Sequence, residues 1–262
     1  MKAYTKRNLY TIGVLLTIIL LTSCMPNVKA QDETKEECTS LNKLTQAEID
    51  DGWQLLFDGE STEHWRGYCK DAFPEGWEMV DGTIHVIGSG RGEAGSGGDI
   101  ITKKIYRNFE LSLEWKVSEG GNSGIFYLAL EKCGENGQPI YKSSPEMQIL
   151  DDERHPDAKL GKDGNRKAGA LYDLIPGDNS VVNPAGEWNK VKVMVYKGTV
   201  VHYVNGKAVL EYHLWTQDWK EMVGNSKFKD WEDFVNPAEE GYIGLQDHGD
   251  DIWFRNIKIK EL

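Results

Sequence analysis

Residues 109–117 read FELSLEWKV. Phe109, Leu111, Leu113, Trp115 and Val117 fall on one side of an extended chain, and Glu110, Ser112, Glu114 and Lys116 fall on the other. Nine residues of period-two alternation fit a strand with one buried face, and coiled as a helix they would scatter their apolar set around the axis. This pattern limits the fold more than any other feature, because related runs recur between tight turns. Asp81-Gly82 separates residues 77–80 from 83–87. Lys197-Gly198 separates 191–196 from 199–204, and Asn205-Gly206 leads on into 207–212. Asx-Gly pairs suit the positive φ angles that hairpin turns require. Further strand-like runs lie at 52–57, 123–130, 241–246 and 252–259. Residues 45–51 (TQAEIDD) read as a short helix capped by Thr45, with Glu48 completing a capping box. Another short helical piece is expected near 217–234. Many short strands at fairly regular spacing predict an all-β antiparallel sandwich or jelly roll.

The N-terminus bears on compartment. Lys2, Lys6 and Arg7 precede a mostly apolar run, residues 9–21, of the length of a secretory h-region and short for a bilayer span. The run ends in Leu21-Thr22-Ser23-Cys24, which resembles a bacterial lipobox. That resemblance implies cleavage before Cys24 and acylation of Cys24. The expected organisation is a signal segment (1–23), an acylated Cys24 with a polar tether (24–44), and one domain over 45–262. The expected location is the bacterial cell envelope, lipid-anchored and facing the periplasm or the surface, with the membrane as a partner through the acyl chains.

The formal charge is −12, and loss of residues 1–23 takes three cations and no anions, leaving −15. A basic patch large enough for nucleic acid is not expected from that balance. With Cys24 acylated, Cys38, Cys69 and Cys133 remain, which allows one disulfide and one thiol. No CxxC pair supports a zinc ribbon.

Two motifs mislead. Gly90-Arg91-Gly92-Glu93-Ala94-Gly95 matches G-x-G-x-x-G, but Gly97-Gly98-Asp99 and β-branched residues follow instead of the helix a dinucleotide site needs. A flexible loop at a cleft rim is the plainer reading. His155-Pro156-Asp157 matches a chaperone tripeptide that belongs between two helices, whereas here a strand precedes it. No G-x-S-x-G, H-E-x-x-H or EF-hand loop occurs.

The stretch PEMQILDDERHP, 145–156, is unusually polar. As a strand it places Glu146, Gln148 and Leu150 on one face and Met147, Ile149 and Asp151 on the other. Met147 and Ile149 would pack between sheets, and Glu146 and Gln148 would face solvent or a cleft. Residues 242–248 divide the same way: Tyr242, Gly244, Gln246 and His248 against Ile243 and Leu245. Two more polar clusters, residues 120–124 and 169–173, supply Asn122, Ser123, Tyr172 and Asp173. Each residue taken alone is as readily a solvated charge, a cross-strand partner or a turn former. A shared sheet face would make them a site. Some jelly-roll glucanases align E-x-D-x-E on one strand, and a retaining pair needs carboxylates about 5–5.5 Å apart. Here the aligned triplet is Glu146, Gln148, Leu150, so a double-carboxylate retaining mechanism is disfavoured.

Taken together, Asn122-Ser123-Gly124-Ile125-Phe126, Glu146-x-Gln148-x-Leu150-Asp151, Gly169-Ala170-Leu171-Tyr172, Gly186-Glu187-Trp188-Asn189, the run GYIGLQDHG at 241–249 and Phe254-Arg255-Asn256-Ile257 resemble the 3-keto-disaccharide hydrolase family. The likeness covers about residues 50–262. It implies a concanavalin A-like two-sheet jelly roll acting on glycosides oxidised to a ketone at sugar C3. Such a ketone acidifies the C2 proton, so one base, one proton donor and an oxyanion stabiliser suffice for cleavage. The expected base and acid are Glu146 and His248, in either order. Gln148, Gln246, Asn122 and Ser123 would hold sugar hydroxyls, and Tyr172 or Asp173 would assist proton transfer. The residues assign no particular cofactor, and a divalent metal on Glu146, His248 and a further acid fits the residue types. A non-catalytic carbohydrate-binding jelly roll and a conventional glycoside hydrolase are the alternative readings.

Overall fold

A computed structural model describes residues 41–92, 95, 97–135 and 137–262. Cys24, Cys38 and the N-terminal segment lie outside these residues, as do Glu93 and Ala94 of the glycine-rich run.

Thirteen strands form two antiparallel sheets: β1 (Trp53–Leu55), β2 (Trp65–Gly67), β3 (Trp77–Val80), β4 (Thr83–Val86), β5 (Ile100–Thr102), β6 (Phe109–Val117), β7 (Asn122–Ala129), β8 (Glu146–Leu150), β9 (Asn189–Tyr196), β10 (Thr199–Val204), β11 (Lys207–His213), β12 (Tyr242–Leu245) and β13 (Ile252–Glu261). The larger sheet runs β11-β10-β9-β6-β13-β4-β3, with β1 also paired to β13, and the smaller runs β2-β5-β12-β7-β8. The expected two-sheet jelly roll is the fold observed. All three anticipated hairpin turns have positive φ at both central residues: Asp81 and Gly82, Lys197 and Gly198, Asn205 and Gly206. That geometry matches the right-handed twist of the flanking strands.

The alternating face of β6 points into the core as its pattern requires, with Phe109, Leu111, Leu113, Trp115 and Val117 all buried. Ile125 and Tyr127 of β7, Met147 and Ile149 of β8, and Ile243 and Leu245 of β12 meet it from the smaller sheet. Period two then sends Asn122, Gly124 and Phe126, Glu146 and Gln148, and Gly244 to the smaller sheet's outer face. Leu150 departs from that division: it packs with the core cluster.

Among the described residues there are also three short α-helices. In α1 (Gln46–Asp50) the Thr45–Glu48 capping box forms as expected. The segment anticipated near 217–234 contains α2 (Gln217–Gly224), capped by Thr216, and α3 (Glu232–Val235). Trp219 of α2 is buried, stacking on Tyr212 and Phe234. This fixes the connection between the helices over one side of the smaller sheet's outer face. A disulfide joins Cys69 and Cys133.

Candidate active site

The outer face of the smaller sheet carries a cavity of about 300 Å³. Its floor is Asn122, Glu146, Gln148 and Gln246, with His248 also lining it, contributed by β7, β8 and the chain just after β12. These strands are neighbours, so residues distant in sequence converge. Gly124 lies opposite Gln148 in the β7–β8 ladder. A Cβ on Gly124 would stand 2.1 Å from Glu146 Oε1. The glycine is therefore what lets the Glu146 carboxylate lie over the β7 backbone.

The floor is buried: Glu146 is 8% exposed and Gln148 1%. Gln148 Nε2 donates to Asn122 Oδ1 at 3.1 Å. Gln148 Oε1 has no hydrogen-bond partner among the described residues. Leaving a buried acceptor open costs about 1–3 kcal/mol. A cavity-lining amide that is half satisfied is poised for a ligand donor.

Residues 169–172 dock on the free edge of β8. Gly169 N donates to Gln148 O at 2.9 Å, Gln148 N to Ala170 O, and Tyr172 N to Glu146 O at 3.1 Å. This brings the Tyr172 side chain to the cavity. Its hydroxyl donates to Asp157 Oδ2 at 3.0 Å. Burial, then the Asp157 charge, holds the phenol well above its usual range. Asp173, one residue on, has φ +57° and is not among the lining residues. Its carboxylate takes a fork from Arg166 (2.5 Å from Nε, 3.0 Å from Nη2) and lies 3.1 Å from Lys227 Nζ. Ser123 also lies off the cavity, its hydroxyl donating to Gln246 O at 2.8 Å. Asp151 and Asp152 are turn residues. Asp151 accepts from the backbone of Gly120, Glu153 and Arg154, and Asp152 from Ala168 N.

His248 sits at the rim, its ring edge-on to His155 with centroids 6.2 Å apart. His155 Nδ1 accepts from Asp157 N. Burial, then the neighbouring His248, lowers the His155 pKa. The backbone behind His248 is rigidly held. The Asp247 carboxylate accepts from Gly97 N and Gly98 N through Oδ2 and from Gly249 N through Oδ1, each at 3.0 Å. Gly97, Gly98 and Gly249 thus form a cradle of backbone amides around the protein's own carboxylate.

The opposite wall had no periodic signal in the sequence. Lys227, Phe228, Trp231 and Phe234 reach the cavity from the α2–α3 connection and α3, facing Tyr141 and Ser144. Phe228 stacks on Phe234 at 4.4 Å, and Trp231 tilts against Tyr141 at 5.6 Å. Only the aromatic density of residues 215–234 hinted at such a wall. Among the described residues, the one grouping of three His, Cys, Asp or Glu side chains within 4.8 Å is Cys69, Glu131 and Cys133. Its two sulfurs form the disulfide, and Glu146 and His248 belong to no such group.

Fold and site define a concanavalin A-like sandwich with a polar cavity on the outer face of its smaller sheet. Residues 52–260 match the model of the 3-keto-alpha-glucoside-1,2-lyase-like domain. A relative from Bacteroides thetaiotaomicron, named 3-keto-disaccharide hydrolase, is 47% identical over 98% of this chain and 99% of its own length. Two crystal structures of Parabacteroides distasonis proteins described as glycosyl hydrolases are each 30% identical. One has a TM-score of 0.74 over 85% of this chain and 100% of that one, and the other 0.61 over 80% and 99%. The chain belongs to the 3-keto-alpha-glucoside-1,2-lyase-like family.

Proposed function

We propose that the protein is a carbohydrate-active enzyme that cleaves glycosides carrying a ketone at sugar C3, by elimination and hydration. The observation that carries this reading is the acid content of the cavity. Among the described lining residues Glu146 is the only carboxylate, whereas retaining and inverting glycosidases ordinarily need two. A 3-keto sugar needs only one base, because its C2 proton is acidic. Glu146, on the floor, takes that proton. The C2–H electron pair forms C2=C3 as the carbonyl pair moves to O3. Return of that pair re-forms the ketone, shifts the double bond to C1=C2 and breaks the C1–O bond, and His248, at the rim, protonates the departing oxygen. Addition of water across C1=C2 then returns a 3-keto sugar, so the net change is hydrolysis. Asn122, Gln148 and Gln246 hold ring hydroxyls. The family membership and the name of the Bacteroides relative support the substrate class.

The test is turnover of a nitrophenyl glucoside and its 3-keto derivative in deuterium oxide. Cleavage of the keto compound alone, with deuterium at C2 of the 3-keto sugar formed by hydration, supports elimination. Cleavage of the parent glycoside, or product without deuterium, overturns it. Glycan binding with turnover of neither would favour a carbohydrate-binding module. We further propose that Cys24 is acylated and anchors the protein in the cell envelope. Incorporation of a labelled fatty acid that persists in Cys24→Ser would refute this.

A further inference from the structure

Elimination through a 3-ketone places negative charge on O3 once C2 loses its proton. Neutral amides stabilise such charge less than a cation held in place does. Tyr172 is an obvious donor, but its hydroxyl proton is committed to Asp157. One Gln148 amide proton is committed to Asn122. Lys227 is the one lysine or arginine among the described lining residues. Its ammonium has three donors, and Asp173 takes one at 3.1 Å. It also lies 4.3 Å from the centre of the Tyr172 ring and 5.1 Å from that of Phe228. The charge is thus fixed between an anchoring carboxylate and two ring faces. Arg166 already forks onto Asp173, so that carboxylate has a second cation of its own.

We propose that Lys227 is the catalytic electrophile of this site, its ammonium stabilising the O3 oxyanion of the enediolate, with Asp173 as the positioning residue that holds it. The inference rests on the proposed elimination. In the step it serves, the C2 proton passes to Glu146, the C2–H pair forms C2=C3, and the carbonyl π pair moves to O3. Collapse of that oxyanion then drives out the C1 substituent.

The probe is 3-keto-1,5-anhydroglucitol, which has no aglycone at C1 to expel, and exchange of its C2 proton with deuterium oxide is read by NMR. The wild-type protein is expected to catalyse exchange. Lys227→Met should slow it about 10²-fold through kcat with KM little changed, since loss of one oxyanion donor typically costs 10²–10³-fold. Lys227→Arg should recover most of the rate. Asp173→Asn should slow exchange about tenfold, again in kcat. Full exchange by Lys227→Met, folded by circular dichroism, overturns the assignment while leaving elimination standing. Absence of exchange by the wild-type protein overturns both.

Discussion

Two polar clusters lie on opposite sides of the smaller sheet, and they are finished differently. Between the sheets, Tyr127 of β7 meets His202 of β10 and Tyr212 of β11. Its hydroxyl is 2.7 Å from His202 Nε2 and 2.7 Å from the Tyr212 hydroxyl, and His202 Nδ1 is 3.1 Å from Gly169 O. A carbonyl only accepts, so Nδ1 carries a proton. Burial lowers the His202 pKa to about 4, so near neutral pH Nε2 is bare and accepts from Tyr127. Tyr127 in turn accepts from Tyr212. Every hydrogen in this chain has one direction and one destination. On the outer face, the Gln148 amide oxygen has none among the described residues. Buried polarity that closes on itself serves the fold; buried polarity left open serves something that arrives. Both clusters touch the strap at 169–172, one from beneath through Gly169 O and one through its pairing with β8.

The sharpest break would come at Glu146. Glu146→Gln keeps the shape of the floor and removes the base, so kcat/KM on a 3-keto glycoside should fall about 10³-fold with the melting temperature unchanged or raised. Full turnover by that variant would end the assignment of Glu146. In the closed cluster the expected loss is stability. His202→Leu strands the Gly169 carbonyl and the Tyr127 hydroxyl proton, so urea denaturation should show a loss of about 2–4 kcal/mol. Turnover by the folded fraction should change far less.

The closed cluster also predicts a pH limb. His202 binds its proton more weakly when folded, at about 4, than the ordinary value of about 6.5. The unfolded chain therefore takes up more protons between those values. His202 contributes full stability above about pH 6.5 and loses it as the pH falls towards 4, by about 3 kcal/mol in total. Subtracting the stability profile of His202→Gln from that of the wild type should expose this limb; parallel profiles would contradict it. The smallest effect belongs to the open cluster. Gln148→Leu removes an unsatisfied acceptor, so stability should hold within about 1 kcal/mol while KM rises about tenfold. A large loss of stability would mean that the floor is structural after all.

The sequence disclosed what is local. Alternation in β6, paired positive-φ turns and the Thr45 cap are settled within a few residues, so the sandwich was legible. Period two also assigned Glu146, Gln148, Gln246 and His248 to one face, because strand neighbours share that face whatever their order. The same rule explains Ser123: beside Asn122 on β7 it must point the other way. Asp173 was misleading because a left-handed residue turns the chain away from the cavity just after Tyr172. Lys227 was invisible because its segment has no repeat; Trp231 showed only as one of many tryptophans, and tertiary packing through Trp219 is what brings the segment over the sheet.

The position of β13 has a consequence for how the molecule comes into being. The last strand of the chain lies in the interior of the larger sheet, between β6 and β4, and also pairs with β1. Without β13 the larger sheet is two half-sheets with raw edges and no seam to join them. Assembly of the larger sheet must wait for β13, because its contacts span the whole domain. Deleting β13 should therefore act less like trimming a tail than like pulling the keystone from an arch.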